Sequence, residues 1–275
     1  MTTDLAPQHR SATSALRWVA AALSASQLVT PPVIMSVYGD FLSARATNDA
    51  VITPAGYAFS IWGLITLLCT VSFVGVARRG LNAPWETRLL VEVSVVFTGF
   101  TAWLLVAAQD WLWLSVAVFA VMVVLLIDVM RLLVRHADQV ATPTWLRRLT
   151  TTSLGLYLGW SSIAVCVNVA AALIDGGWSP SEYLWQAVVL VVATLVGLGL
   201  TVFVRADLGY VAAVLWAFVA VVIGAAQNDA VPLSVAAAAA SVLVLVTAVV
   251  LRVRDGRTGH HPVSTGAHPL GHRSR

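Results

Sequence analysis

Lysine is absent from this chain, and all sixteen of its basic residues are arginine. Charge of any kind is scarce, at 11 % against 59 % apolar residues, a balance that excludes an ordinary soluble domain. Cysteine is limited to Cys69 and Cys166, both within apolar runs, so a disulfide framework is not expected and small packed thiols are. No histidine falls inside an apolar run, and His-Glu-x-x-His, Gly-x-Ser-x-Gly and phosphate-cradling glycine loops are all missing. Ser161-Ser162 has no base in its own region. The chain is therefore read as no enzyme, with neither cofactor nor metal.

What is present is hydrophobic length. Crossing ~30 Å of hydrocarbon takes roughly 20 apolar residues as helix. Eight runs come close, at 17–38, 55–77, 89–108, 112–133, 154–174, 184–204, 208–226 and 231–253. The last three are rich in valine, yet lipid leaves the backbone no outside partner, so helices are expected there rather than strands. The fold class is thus all-α, a polytopic bundle of about eight transmembrane helices.

Arginine sets the expected orientation, because it is retained on the cytoplasmic side of short loops. With the N-terminus inside, every arginine except Arg45 lies on the cytoplasmic side. The opposite loops carry Asp40, Asp49, Asp110, Asp175, Glu182 and Asp229. Both termini are expected in the cytoplasm of a bacterial cell membrane, and the +3 net charge is a topology signal rather than a sign of nucleic-acid binding. Ala22-Leu23-Ser24-Ala25 has the small residues of a signal cleavage site, but the run continues to Tyr38, which suits a retained helix. Residues 1–16 read as a tail. Residues 254–275, with His260, His261, His268 and His272 but no apolar periodicity, read as a disordered tail rather than a metal site.

Pro31-Pro32 should kink or end the first helix near the outer surface. The stretch from Asp40 to Pro54 is the longest outer loop, and Thr53 and Pro54 suit the cap and first turn of the second helix. Loop and helix start would form one corner carrying Tyr57, Phe59 and Trp62. Tyrosine and tryptophan there settle where hydrocarbon meets water and can stack on flat ligands. In the fifth run, Tyr157, Trp160, Ala164 and Asn168 share one helix face. Asn168 must face the interior, for an interhelical hydrogen bond or for a ligand. Gly155 and Gly159 make a small-xxx-small pair suited to close helix packing. Trp111, Trp113, Trp178 and Trp185 flank span ends and read as interface anchors. Glu92 and Asp128 are acids within or beside spans, readable as a proton relay or as boundary residues, with Arg131 at i+3 from Asp128 as a partner.

The pattern Tyr-Leu-x-Trp-x-Ser-x-Ala-x-x-x-Asn at Tyr157 to Asn168 resembles the fifth helix of the tryptophan-rich sensory protein / translocator protein (TspO/MBR) family. The run from Pro54 to Trp62 resembles that family's signature entering its second helix, and Trp103 resembles the family's tryptophan in the third. The likeness covers residues 17–175. Its departures are a shorter Phe59-to-Trp62 interval without the family's proline, Phe100 where an asparagine is usual, and three spans over 184–253 without counterpart in a five-helix bundle.

The resemblance implies an aromatic cavity for flat hydrophobic ligands of the tetrapyrrole (porphyrin- or haem-like) or sterol class, serving a sensor or carrier. Its expected lining is Tyr57, Phe59, Trp62, Trp103, Trp160, Ala164 and Asn168. The expected partners are such a small molecule, membrane lipids and a second copy of the chain as a homodimer, with no nucleic acid. The rival readings are a proton-coupled secondary transporter using Glu92 and Asp128, and a scaffold in which the aromatic face is simply packed.

Overall fold

The computed structural model describes residues 5–39 and 49–258, with side chains over 12–39 and 49–255. The expected region 40–48 and the four tail histidines lie outside the described residues. Among the described residues there are eight helices long and apolar enough to cross a membrane and no strand. They are α1 (Leu5–Tyr38), α2 (Ile61–Arg79), α3 (Glu86–Ala107), α4 (Leu112–Arg135), α5 (Thr144–Asp175), α6 (Tyr183–Phe203), α7 (Leu208–Gln227) and α8 (Val231–Thr258). The chain is an integral, multi-pass membrane protein.

Three boundaries differ from expectation. α1 begins at Leu5, within the stretch read as a tail, and runs through Pro31 and Pro32 to Tyr38 without ending there. α5 begins at Thr144, about three turns earlier than hydropathy suggests. Its first turns are polar, but Thr150 and Thr151 donate their hydroxyls to the carbonyls of Leu146 and Arg147 at 2.9 and 3.0 Å, so the helix absorbs its own polar groups. Thr53 and Pro54 do not start α2. A short 3₁₀ turn, Gly56–Ser60, comes first, and no side chain caps it. The cause is α7, whose Ala220 carbonyl takes the Ala55 N–H at 3.0 Å and holds this stretch against another helix before α2 begins.

α1 packs on α2 and α3, α3 on α4, and both α2 and α4 on α5, which closes a five-helix ring. α6 and α7 pack on the far side of α5, and α8 covers both. α5 is therefore central, and every residue from Ser153 to Ile163 is buried. Glycines let α7 come close: a Cβ on Gly159 would stand 2.5 Å from the Tyr210 carbonyl oxygen. Asp207 caps α7, accepting the Tyr210 N–H at 3.0 Å. Burial pushes its carboxyl above the usual carboxylate range, against the opposing pull of neighbouring backbone N–H groups and Arg252. Arg252 of α8 ties down the same turn through the Ala206 carbonyl at 2.7 Å.

At the arginine-rich end, Arg17 of α1 grips Glu86 of α3 with two 2.8 Å bonds. The same carboxylate accepts the N–H groups of Leu81 and Asn82 at 2.9 and 3.0 Å. One buried acid thus fixes α1, the α2–α3 turn and the start of α3 together.

Candidate functional site

Trp62 stands at the centre of the ring, 5 % exposed. Its indole lies 4.7 Å from Phe100 and 5.8 Å from Trp103 on α3, 6.4 Å from Phe119 on α4, and 5.4 and 6.3 Å from Tyr157 and Trp160 on α5, centroid to centroid. Phe59 meets Trp160 edge-on at 5.8 Å. These distances and tilts are those of favourable aromatic pairs. Periodicity explains the convergence: Phe100 and Trp103 are three apart on α3, as Tyr157 and Trp160 are on α5.

Of the expected lining, Phe59, Trp62, Trp103, Trp160, Ala164 and Asn168 all border one void, and Tyr57 does not. Tyr57 is 44 % exposed and packs edge-on against Trp216 of α7 at 5.5 Å. The void is only about 30 Å³, room for a single small molecule such as water, because the rings fill the space they enclose. A second, larger space of about 470 Å³ lies between α1 and the start of α2, with Phe59 and Trp62 as the wall common to both.

Asn168 is engaged in interhelical bonding. Its Oδ1 accepts from the Ser115 hydroxyl of α4, and its Nδ2 donates to the Ala164 carbonyl at 2.8 Å. The unsatisfied groups lie elsewhere. The indole Nε1 atoms of Trp62, Trp103 and Trp160 and the amide Nε2 of Gln27 are buried without a partner among the described residues. Buried donors are nearly always bonded, and these four lie on residues that border the two adjoining spaces.

Sequence reasoning did not assign Phe119, Gln27 or Trp216 to the site. α4 and α7 are apolar nearly all round, so no periodic signal singles out Phe119 or Trp216. Gln27 was readable as a lone amide in a span, the kind of residue that defaults to a functional role. Among the expected anchors, Trp111, Trp113 and Trp178 are about half exposed, while Trp185 is buried, stacks edge-on with Trp178 and donates to the Ser179 carbonyl.

Glu92 and Asp128 come together at the arginine-rich end. Arg88 reaches Glu92 at 2.8 Å and Asp128 at 2.7 Å, and Arg131 also binds Asp128 at 2.7 Å. Eight residues of α3, about 12 Å of helix, separate Glu92 from Phe100. Cys69 and Cys166 are buried free thiols.

The C-terminal helices hold the corner of the site. Trp216 donates its indole N–H to the Ala58 carbonyl at 3.0 Å, and Gln186 of α6 accepts the Ile52 N–H at 3.3 Å. Replacing Trp216 by phenylalanine is expected to lower stability by about 1 kcal/mol through loss of that bond. An unchanged unfolding midpoint would assign the bond no weight.

A helical membrane bundle whose five-membered ring closes on a buried aromatic cluster is the class of protein that this geometry defines. Within that class, the chain belongs to the family of TSPO-like proteins, whose family model matches residues 39–251. The match starts after α1 and runs through most of α8, so the helices beyond Asp175 fall inside it, whereas the motif likeness covers only 17–175. No curated protein and no solved structure matches the chain.

Proposed function

We propose that this protein binds a flat hydrophobic ligand, of the tetrapyrrole or sterol class, against the Trp62 cluster and acts as a sensor or carrier within the membrane. The observation that carries this reading is the meeting of Trp62, Trp103 and Trp160 with all three indole N–H groups buried and without a partner among the described residues. The ligand enters from the space between α1 and α2, and Phe59 and Trp62 move aside to admit it, since the inner void is too small for any ring system.

Energetics sets the scale. Burying ~200 Å² of apolar ligand surface at about 25 cal/mol per Å² contributes roughly 5 kcal/mol for a ligand arriving from water, before association costs. A ligand already dissolved in lipid gains little from burial, so ring stacking and hydrogen bonds to the orphan donors must supply the selectivity. Micromolar binding is the expectation.

The test is quenching of intrinsic tryptophan fluorescence on titrating the purified full chain with a porphyrin. Trp62→Phe combined with Trp160→Phe removes both indole donors and is expected to weaken the dissociation constant at least about tenfold. An unchanged constant in the double variant overturns the site. Proton-coupled uptake into proteoliposomes that disappears in Asp128→Asn would instead favour the transporter.

A further inference from the structure

Gln27 occupies an unusual position for an amide. It sits in the middle of a membrane-spanning helix, 1 % exposed, and it borders the 470 Å³ space between α1 and α2 together with Leu28, Pro31, Tyr57, Phe59 and Trp62. Its Oε1 is occupied by the Tyr157 hydroxyl at 3.2 Å. Its Nε2 has no partner among the described residues. The Thr66 hydroxyl borders the same space and donates to the Trp62 carbonyl at 2.8 Å.

We propose that Gln27 is the residue that selects the ligand: the occupant of this space carries a hydrogen-bond acceptor, an ester, ketone or carboxylate oxygen, that meets the Gln27 Nε2, while its flat apolar body lies along Tyr57, Phe59 and Trp62. This rests on the binding function proposed above and adds the ligand's polar chemistry to it. A buried amide donor left unbonded costs free energy in proportion to its desolvation, and in hydrocarbon no water offsets that cost. Tyr157 fixes the amide's orientation, because the phenol donates to Oε1 and leaves the –NH₂ as the end without a partner among the described residues. The space lies within the size range of small-molecule sites, and its lining is mostly apolar with a few polar side chains, Gln27, Ser60 and Thr66 among them, the pattern such sites follow.

Two neutral porphyrins of similar breadth separate acceptor chemistry from ring stacking. Protoporphyrin dimethyl ester carries ester carbonyls, and octaethylporphyrin carries only alkyl groups at its edge. With the full chain in detergent, the diester is expected to bind about tenfold more tightly by tryptophan quenching. In Gln27→Leu that ratio falls to about one through loss of diester affinity alone. Gln27→Met keeps the length of the side chain without any donor, so it is expected to abolish the preference in the same way. A tenfold preference that persists in both folded variants, or equal binding of the two porphyrins to the unaltered protein, overturns the role of Gln27 and leaves the aromatic site standing. Failure of both porphyrins to bind the unaltered protein overturns the binding function itself.

Discussion

Glu86→Ala is expected to destabilise the protein by about 3–5 kcal/mol, the range for removing one partner from a buried ion pair. The size follows from how many groups depend on one carboxylate. Glu86 is 3 % exposed and accepts four hydrogen bonds, two from Arg17 and one each from the backbone N–H groups of Leu81 and Asn82. Its loss strands a partly buried guanidinium and two backbone donors at the place where α1 meets the α2–α3 turn. Glu86→Gln restores little, because its amide nitrogen faces donors where the carboxylate offered a lone pair. Gly80 beside this pair makes room for the Arg17 guanidinium, with which a Cβ there would collide. Unfolding of the purified protein on titration with a denaturing detergent measures the effect. A shift equivalent to less than about 1 kcal/mol would place this pair among exposed, weakly contributing ion pairs.

The eight spans were legible in the sequence because lipid imposes one demand on every segment, an apolar stretch long enough to cross and a backbone that satisfies itself. Where that demand does not apply, the reading failed. The first turns of α5 hold Thr, Arg and Ser, which hydropathy rejects, but Thr150, Thr151 and Ser153 bond carbonyls of their own helix and Arg147 bonds the Ala137 carbonyl. Pro54 looked like a helix start because proline favours that position, yet a tertiary contact from Ala220 decides what Pro54 precedes.

The aromatic cluster was legible in part for the same kind of reason. Trp62, Trp103 and Trp160 stand out as large amphipathic residues within spans, and their spacing put them on inward faces. The sequence could not reveal how tightly they close. Phe119 borders the void of about 30 Å³ and Phe100 packs 4.7 Å from Trp62 beside it, and such ring-to-ring packing is set by distances that spacing along one chain does not contain. Nor could it show that α6 and α7 hold the 49–60 corner, since those bonds join residues more than a hundred positions apart.

Gly159→Leu is expected to damage both the fold and the site without altering any ring. A Cβ on Gly159 would stand 2.5 Å from the Tyr210 carbonyl oxygen and 2.9 Å from the Ala213 Cβ, and a backbone carbonyl cannot swing away as a flexible side chain can. Relief requires α7 to move off α5, at a cost of at least about 1–3 kcal/mol for overpacking a tight interface. α7 carries Trp216 and Ala220, which fix Ala58 and Ala55 through 3.0 Å bonds, so the same displacement releases the turn that bears Tyr57 and Phe59. Loss of α7 contact is therefore expected to lower the thermal midpoint and to weaken porphyrin quenching together. Gly199 on α6 supplies the control, for a Cβ there meets nothing within 4 Å, and Gly199→Leu should leave both readings unchanged. If Gly159→Leu loses stability but binds porphyrin as before, the C-terminal helices brace the bundle and have no hold on the ligand site.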